Sequence, residues 1–268
     1  MYRLDQRPIG MFDSGFGGLT VLAQVKKLLP QENVLYYGDN LRAPYGGRTK
    51  EEIIGFNHEI VEFMLEKQVK AIIMACNTST SHALQHNRDH FDVPFVSLIE
   101  RGIDMVSEIS KTRNVAVMAT EGTVRSKSFT ASITSRFDNI KVMEIACPLL
   151  VPIIENGSIH DEKTRDIASQ YLSEALHQQA DVVILGCTHY PFLVPVLQKI
   201  APEHVTFIDP AVGASEYIKK YLEKNELLNK SNCNGNYEYY TSGDTIKFQE
   251  CGSRLLGFSL ENVQHKSF

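Results

Sequence analysis

The chain has 268 residues, 27 Lys plus Arg against 32 Asp plus Glu, and a formal net charge of −5 at pH 7. That balance argues against a dedicated nucleic-acid or anionic-membrane binder, which carries a basic face. The length is that of two ordinary domains, and a composition 43% hydrophobic and 22% charged is that of a globular protein able to bury a core, so small-molecule partners are expected, with no nucleic acid and no membrane.

The opening segment "MYRLDQRPIG" has no apolar stretch of the secretory kind, and no run approaches the ~18 apolar residues of a membrane span. A cytoplasmic location is therefore expected. The five cysteines, Cys76, Cys147, Cys187, Cys233 and Cys251, are odd in number and scattered, without Cys-x-x-Cys spacing. That speaks against a disulfide framework and leaves packing, metal binding or chemistry as their uses.

Along the chain, short β-rich apolar runs alternate with longer amphipathic stretches. The first run, "IGMF" (9–12), enters "DSGFGGLT" and a helix predicted over 17–28. Gly15 and Gly17 start a G-x-G-x-x-G pattern, and Asp39 stands where a ribose-binding acid could sit. The third glycine position is Thr20, however, and no lysine is placed to make a phosphate loop. A tight turn that leaves Asp13 and Ser14 facing a cleft accounts for the glycines.

"VLYY" (34–37) leads to the turn "APYGG" (43–47), which offers Tyr45 and the Gly46 amide to a ligand, or is simply a surface turn. A helix predicted over 50–67 precedes "AIIMA" (71–75), which stops at Cys76 in "CNTST". Then come a strand at 93–98, a helix at 101–111, a strand at 115–119 entering "TEGT", and a strand at 141–146. A helix at 161–178 precedes "VVILG" (182–186), which stops at Cys187 in "CTHYP". A strand at 205–209, a helix at 211–225, a loop at 229–236, the strand "YEYYT" and a helix at 245–256 finish the chain.

Such alternation reads as βαβ units and mainly parallel sheets, with ligands bound beyond the carboxyl ends of the strands. The rhythm restarts after 93–98 and crosses back after Asp209. The expected division is a first α/β domain of 1–97 plus 210–268, the tail folding back onto it, and a second of 98–209. The halves echo each other: Cys76 follows Asp13 by 63 residues, and Cys187 follows Thr120 by 67. Two related domains would each bring a strand-end thiol to a shared cleft, although any doubly wound protein repeats strand, loop and helix.

A lone strand-end cysteine usually packs as a small apolar residue. Here Asn77, Thr78, Thr188 and His189 follow the thiols directly, where the free N–H groups of a helix start can hold a carboxylate and lower a thiol pKa. His189 is near enough to Cys187 in sequence to be its proton partner, or is merely packed there. Cys76, Cys187 and His189 could also be a thiolate-rich zinc set, though no local pair has the usual structural spacing.

At these residues the sequence resembles the aspartate/glutamate racemase superfamily, and its glutamate-acting members in particular, through "FDSGFGGLTVL", "YYGDNLRAPYGGRT", "ACNTSTSHAL" and "LGCTHYPFL" in family order. The resemblance runs from about Pro8 into the tail and is least familiar after Leu228. It implies two similar doubly wound α/β domains with pseudo-twofold symmetry and an active site in the cleft between them. The implied activity is cofactor-independent interconversion of L- and D-glutamate by two cysteines, without pyridoxal phosphate or metal. D-Glutamate for peptidoglycan synthesis and a capacity to form a homodimer are implied with it.

Carried over by position, the resemblance makes Cys76 the base toward the D enantiomer and Cys187 the base toward the L, assisted by Asp13 and His189 respectively. Asp39 and Glu155 resemble further acidic residues of the site. Asp13, Ser14, Tyr45, Gly46, Asn77, Thr78, Thr188 and His189 match substrate-binding positions, and Thr120 and Thr123 are additions to them.

Two thiols suit an inversion, because a proton must leave one face of Cα and another arrive on the opposite face. A turnover of ~10 s⁻¹ needs a barrier near 16 kcal/mol, and a thiol of ordinary pKa about 8.5 costs only about 2 kcal/mol to ionise at pH 7, so activating the thiols is expected to be the minor problem. Rival readings are an aspartate or other amino-acid racemase, a Cys187–His189 hydrolase that leaves Cys76 idle, and an amino-acid-binding protein that leaves both thiols unexplained.

Overall fold

Among the residues described by the computed structural model, 5–268, ten strands form two sheets in which every pairing is parallel. In chain order the first part runs β1 (Ile9–Asp13), α1 (Leu19–Leu28), β2 (Val34–Gly38), α2 (Lys50–Glu66), β3 (Ala71–Met74), α3 (Asn77–His90) and β4 (Phe95–Ser97). The middle holds α4 (Leu98–Ile103), α5 (Val106–Ile109), β5 (Asn114–Ala119), α6 (Glu121–Ser126), α7 (Ser128–Thr134), β6 (Lys141–Ala146) and α8 (Leu150–Glu155). It continues with α9 (Glu162–His177), β7 (Val182–Gly186), α10 (Val194–Ile200) and β8 (Thr206–Ile208). The chain then returns through α11 (Pro210–Lys224) to β9 (Tyr237–Thr241), α12 (Thr245–Leu256) and β10 (Gln264–His265).

One sheet has the order β10-β9-β2-β1-β3-β4 and the other β6-β5-β7-β8. The segment β2-β1-β3-β4 and the whole second sheet share one order, with β5 in the place of β1 and β7 in the place of β3. In each, the order reverses between the first and third strands of the unit, the point where a doubly wound sheet opens a crevice. Cys76 leaves β3 and Cys187 leaves β7 at these equivalent positions.

β1, β2, β3 and β7 are buried along their whole length, because helices cover both faces and both sets of alternating side chains enter a core. Below the first sheet the Lys70 ammonium, fully buried, meets Glu32 at 2.6 Å. Glu32 also accepts from the Asn229 amide at 2.7 Å, and Lys70 donates to the Leu227 carbonyl at 2.7 Å. These bonds tie the segment after α11 to the base of the sheet, and β9 then pairs alongside β2.

The strand expected at 93–98 is shorter, and the helix expected at 101–111 is two helices. The Ser97 hydroxyl accepts from the Glu100 amide at 3.1 Å, an N-cap that starts α4 four residues after Pro94. Gly102 and Asp104 are poor helix residues and end it early. No helix among the described residues is long and apolar enough to cross a membrane.

Candidate active site

A cavity of about 680 Å³ lies beyond the carboxyl ends of both sheets and is lined from both. From the first sheet come Asp13 and Ser14 after β1, Tyr45 and Gly46 after β2, and Cys76, Asn77 and Thr78 after β3. The second contributes Thr120 after β5, Glu155 at the end of α8, and Cys187, Thr188 and His189 after β7.

Cys76 is the N-cap of α3, its sulfur accepting from the Ser79 amide at 3.4 Å while the thiol donates to Ser14 Oγ at 3.5 Å. Burial, and then the charge of neighbouring Asp13, push this thiol up to about 12, even though the helix-start amide favours the thiolate. Ionising it at pH 7 therefore costs about 7 kcal/mol. That is well above the about 2 kcal/mol of an ordinary thiol, because a dry wall and a carboxylate neighbour both oppose the thiolate.

Burial also raises the Asp13 carboxyl, opposed by the charge of His189 and by the amides of Gly18, Gly15 and Ser14. The Gly15 amide reaches it at 3.0 Å.

Across the cavity, Cys187 Sγ is 3.7 Å from His189 Nδ1, and His189 Nε2 is 3.0 Å from Glu155 Oε1. Burial disfavours the imidazolium, but the hydrogen bonds to Cys187 and Glu155, with the nearby charges of Cys187 and Asp13, push His189 up to about 10. The Cys187 side thus favours a proton on His189, whereas the Cys76 side carries an acid whose charge opposes a thiolate.

Gly17 of "DSGFGG" serves this meeting of the halves. A Cβ on Gly17 would lie 2.4 Å from both His189 Nδ1 and Thr188 Oγ1, a distance that no side chain tolerates. Thr20, which breaks the dinucleotide pattern, donates its hydroxyl to the Thr188 carbonyl at 2.9 Å.

Asn77 is buried, and neither its amide oxygen nor its amide nitrogen has a protein partner. Its place on the cavity wall at a helix start puts this amide within reach of a bound carboxylate. The hydroxyls of Thr78, Thr120 and Thr123 form a triangle with sides of 2.8, 3.1 and 3.1 Å that links the two halves. Thr120 lines the cavity, whereas Thr123 is buried behind it.

Asp39 stands apart from the cavity lining. Its fully buried carboxylate accepts from Tyr45 Oη, from Arg42 Nε at 2.6 Å and from Ser242 Oγ at 2.7 Å. These donors occupy the carboxylate and anchor the Tyr45 loop from outside the cavity lining. Burial, with the Asp39 charge, holds Tyr45 well above the ordinary phenol range.

Sequence reasoning missed Cys147, a buried thiol on the cavity wall, and Lys247 of α12, the one Lys or Arg lining the cavity among the described residues. Lys247 gave no signal because it falls on the exposed face of an ordinary amphipathic helix. Among the described residues no three His, Cys, Asp or Glu side chains are gathered so as to hold a metal ion.

The sequence profile of the Asp/Glu/hydantoin racemase family matches residues 19–216. Curated glutamate racemases of Thermoanaerobacter pseudethanolicus and Herpetosiphon aurantiacus are each 40% identical, over 98% and 91% of this chain and 98% and 96% of theirs. Among solved structures, glutamate racemase of Francisella tularensis in complex with D-glutamate superposes with a TM-score of 0.90 at 34% identity, over 98% of both chains. A glutamate racemase isoform of Bacillus anthracis gives 0.92 at 31%, again over 98% of both. An aspartate racemase of Picrophilus torridus, at 0.60 and 18%, shares the fold alone. With a family profile across most of its length and relatives at 40% identity end to end, the chain belongs to the Asp/Glu/hydantoin racemase family.

Proposed function

We propose that this protein is a glutamate racemase, interconverting L- and D-glutamate by proton transfer between two cysteines without an added cofactor. The observation that carries the reading is the pair of buried thiols, Cys76 and Cys187, delivered to one cavity from equivalent strand ends of two sheets of like order. A hydrolase would leave Cys76 idle, and a binding protein would need neither thiol.

In the reaction, one thiolate takes the Cα proton and the bond electrons pass into the carboxylate, giving a nearly planar enediolate. The opposite thiol then protonates the other face, so that thiol and thiolate have exchanged places and must reset through solvent. With Cys187 as base toward L-glutamate, His189 accepts or returns the proton of that thiol, oriented by Glu155. With Cys76 as base toward D-glutamate, Asp13 plays the matching part and also attracts the substrate ammonium, whose charge lowers the cost of the Cys76 thiolate. Asn77, with the amides at the start of α3 and around Gly46, offers hydrogen bonds that strengthen as charge develops on the enediolate oxygens. Ser14, Tyr45, Thr78, Thr120 and Thr188 complete the binding wall.

Glutamate is favoured over aspartate because the relatives at 40% identity bear the glutamate name. Supply of D-glutamate for peptidoglycan, a cytoplasmic location, a capacity to form homodimers, and domains of 1–97 plus 210–268 and of 98–209 belong to the same proposal. Incubation with pure L-glutamate, followed by circular dichroism, should show decay of the signal to zero. A stable signal with L-glutamate but decay with L-aspartate would overturn the substrate assignment, and stability with both would overturn the activity.

A further inference from the structure

Glu155 is the last residue of α8, and its carboxylate, with the side chain 36% exposed, reaches His189 across the cavity rim. A glutamate on the final turn of a six-residue helix is poorly fixed by that helix, whose last carbonyls have no internal partners. The partner comes from the far end of the chain. Arg254 Nη2, on α12, donates to the Glu155 carbonyl at 2.6 Å and lies 3.5 Å from Cys251 Sγ. The guanidinium rests against Gly157, where φ is +79° and the chain turns away; a Cβ there would stand 3.6 Å from Arg254 Cζ. Leu255, the next residue, packs against the cores of both sheets. α12 is thus a strut between the halves, and its arginine grips the residue that orients His189.

We propose that Arg254 is a positioning residue, which pins the Glu155 backbone from α12 and so holds the Glu155 carboxylate on His189 beside Cys187. The proposal rests on the racemase reading and adds to it a residue outside the cavity wall. His189 faces Cys187, Glu155, Asp13 and, from α12, Cys251. Of these, only Glu155 and Cys251 touch Arg254.

Two variants, Arg254→Ala and Arg254→Lys, each measured alone and combined with Glu155→Gln, test it. Arg254→Ala should lower kcat about tenfold while KM changes by less than about threefold, because misplacement of a group that orients the base acts on the chemical step. The alkaline limb of its pH profile should move to lower pH, since a loosened Glu155 holds the His189 proton less firmly. Arg254→Lys, which keeps a cationic donor, should recover most of the rate. In the Glu155→Gln background the Arg254→Ala loss should shrink to about twofold or less, because the group it positions is already blunted.

Native kcat in Arg254→Ala overturns the proposal, and so does a tenfold loss that multiplies with that of Glu155→Gln. If Arg254→Ala melts below the assay temperature, Arg254→Gln carries the same cycle with the same two outcomes. A native enzyme that leaves L-glutamate unchanged defeats the racemase reading itself, a result visible before any variant is made.

Discussion

Asp13→Asn should separate the reactivity of Cys76 from its usefulness. In the structure two causes raise this thiol from 9.0 to about 12, burial first and the Asp13 charge second. At pH 8 a thiol at about 12 is ionised to roughly one part in ten thousand, and one at 9.0 to about a tenth, so about a thousandfold in thiolate separates the two. Removing the carboxylate charge while leaving the wall intact should recover part of that interval. Alkylation of Cys76 should therefore speed up by at least about tenfold, yet by less than about a thousandfold, because burial remains. Racemisation should fall in the same variant, since the ammonium loses its anion and Cys76 its proton partner.

The assay is iodoacetamide labelling at pH 8, with the label located by peptide mass spectrometry because Cys233 is exposed and reacts independently. Circular dichroism with glutamate provides the paired rate. If Cys76 in Asp13→Asn is alkylated at the native rate or more slowly, the carboxylate is not what raises the thiol, and the electrostatic account of this side of the site is wrong.

In deuterated water, early turnover should place deuterium at Cα mainly in the product enantiomer. Cys76→Ser and Cys187→Ser should each lose most racemisation, with any residual exchange skewed toward L-glutamate in the first and D-glutamate in the second; near-native racemisation by either variant would refute the two-thiol mechanism. Saturating glutamate should slow alkylation of both thiols, and an unchanged rate would argue against a shared cleft. Lys70→Met should cost about 3–5 kcal/mol in urea unfolding, because it leaves the Glu32 charge buried without its partner; a loss under about 1 kcal/mol would refute the view that the buried pair depends on both members. Burial opposes the Asp181 charge, but the Thr112 amide, the Ser110 hydroxyl and the Lys111 amide outweigh it and lower its pKa. Its contribution is then present above the unfolded value near 3.9 and lost as pH falls through the folded one, so Asp181→Asn should destabilise by about 1.5–3 kcal/mol at pH 7, a gap that closes in acid below the folded value.

The sheets were legible because a strand buried on both faces reads as an unbroken apolar run. "IGMF" and "VVILG" could hardly be anything else once turn residues bounded them. Short helices such as α6, α7 and α8 were not legible, since six or seven residues make too few turns for a period to show. The thiols stood out because each ends an apolar run and opens a polar one.

Asp39 was less legible. An acid beyond a strand end is compatible with catalysis or with anchoring a loop, and its bonds to Tyr45, Arg42 and, from the distant tail, Ser242 leave no trace in local sequence. Arg254 was invisible because its target is a backbone carbonyl, which leaves no trace in side-chain pattern.

Two sheets of one order suggest two equivalent acid–base groups, but the surroundings differ. Cys76 sits against a carboxylate, and Cys187 against an imidazole that retains its proton to about pH 10 and is backed by a second carboxylate. The reaction constrains what this asymmetry can do. L- and D-glutamate have equal free energy in water, so the equilibrium constant is 1 and kcat/KM must be the same in both directions, whatever the two thiols are like. The asymmetry can therefore appear only in how kcat and KM divide within each direction, and in which protonation form the free enzyme stores. In the proposed mechanism the substrate offsets this asymmetry by bringing its ammonium toward Asp13 and its carboxylate toward the amides at Asn77. The duplicated fold supplies two faces, and on that proposal the unequal partners at its strand ends set the state from which each half-reaction starts.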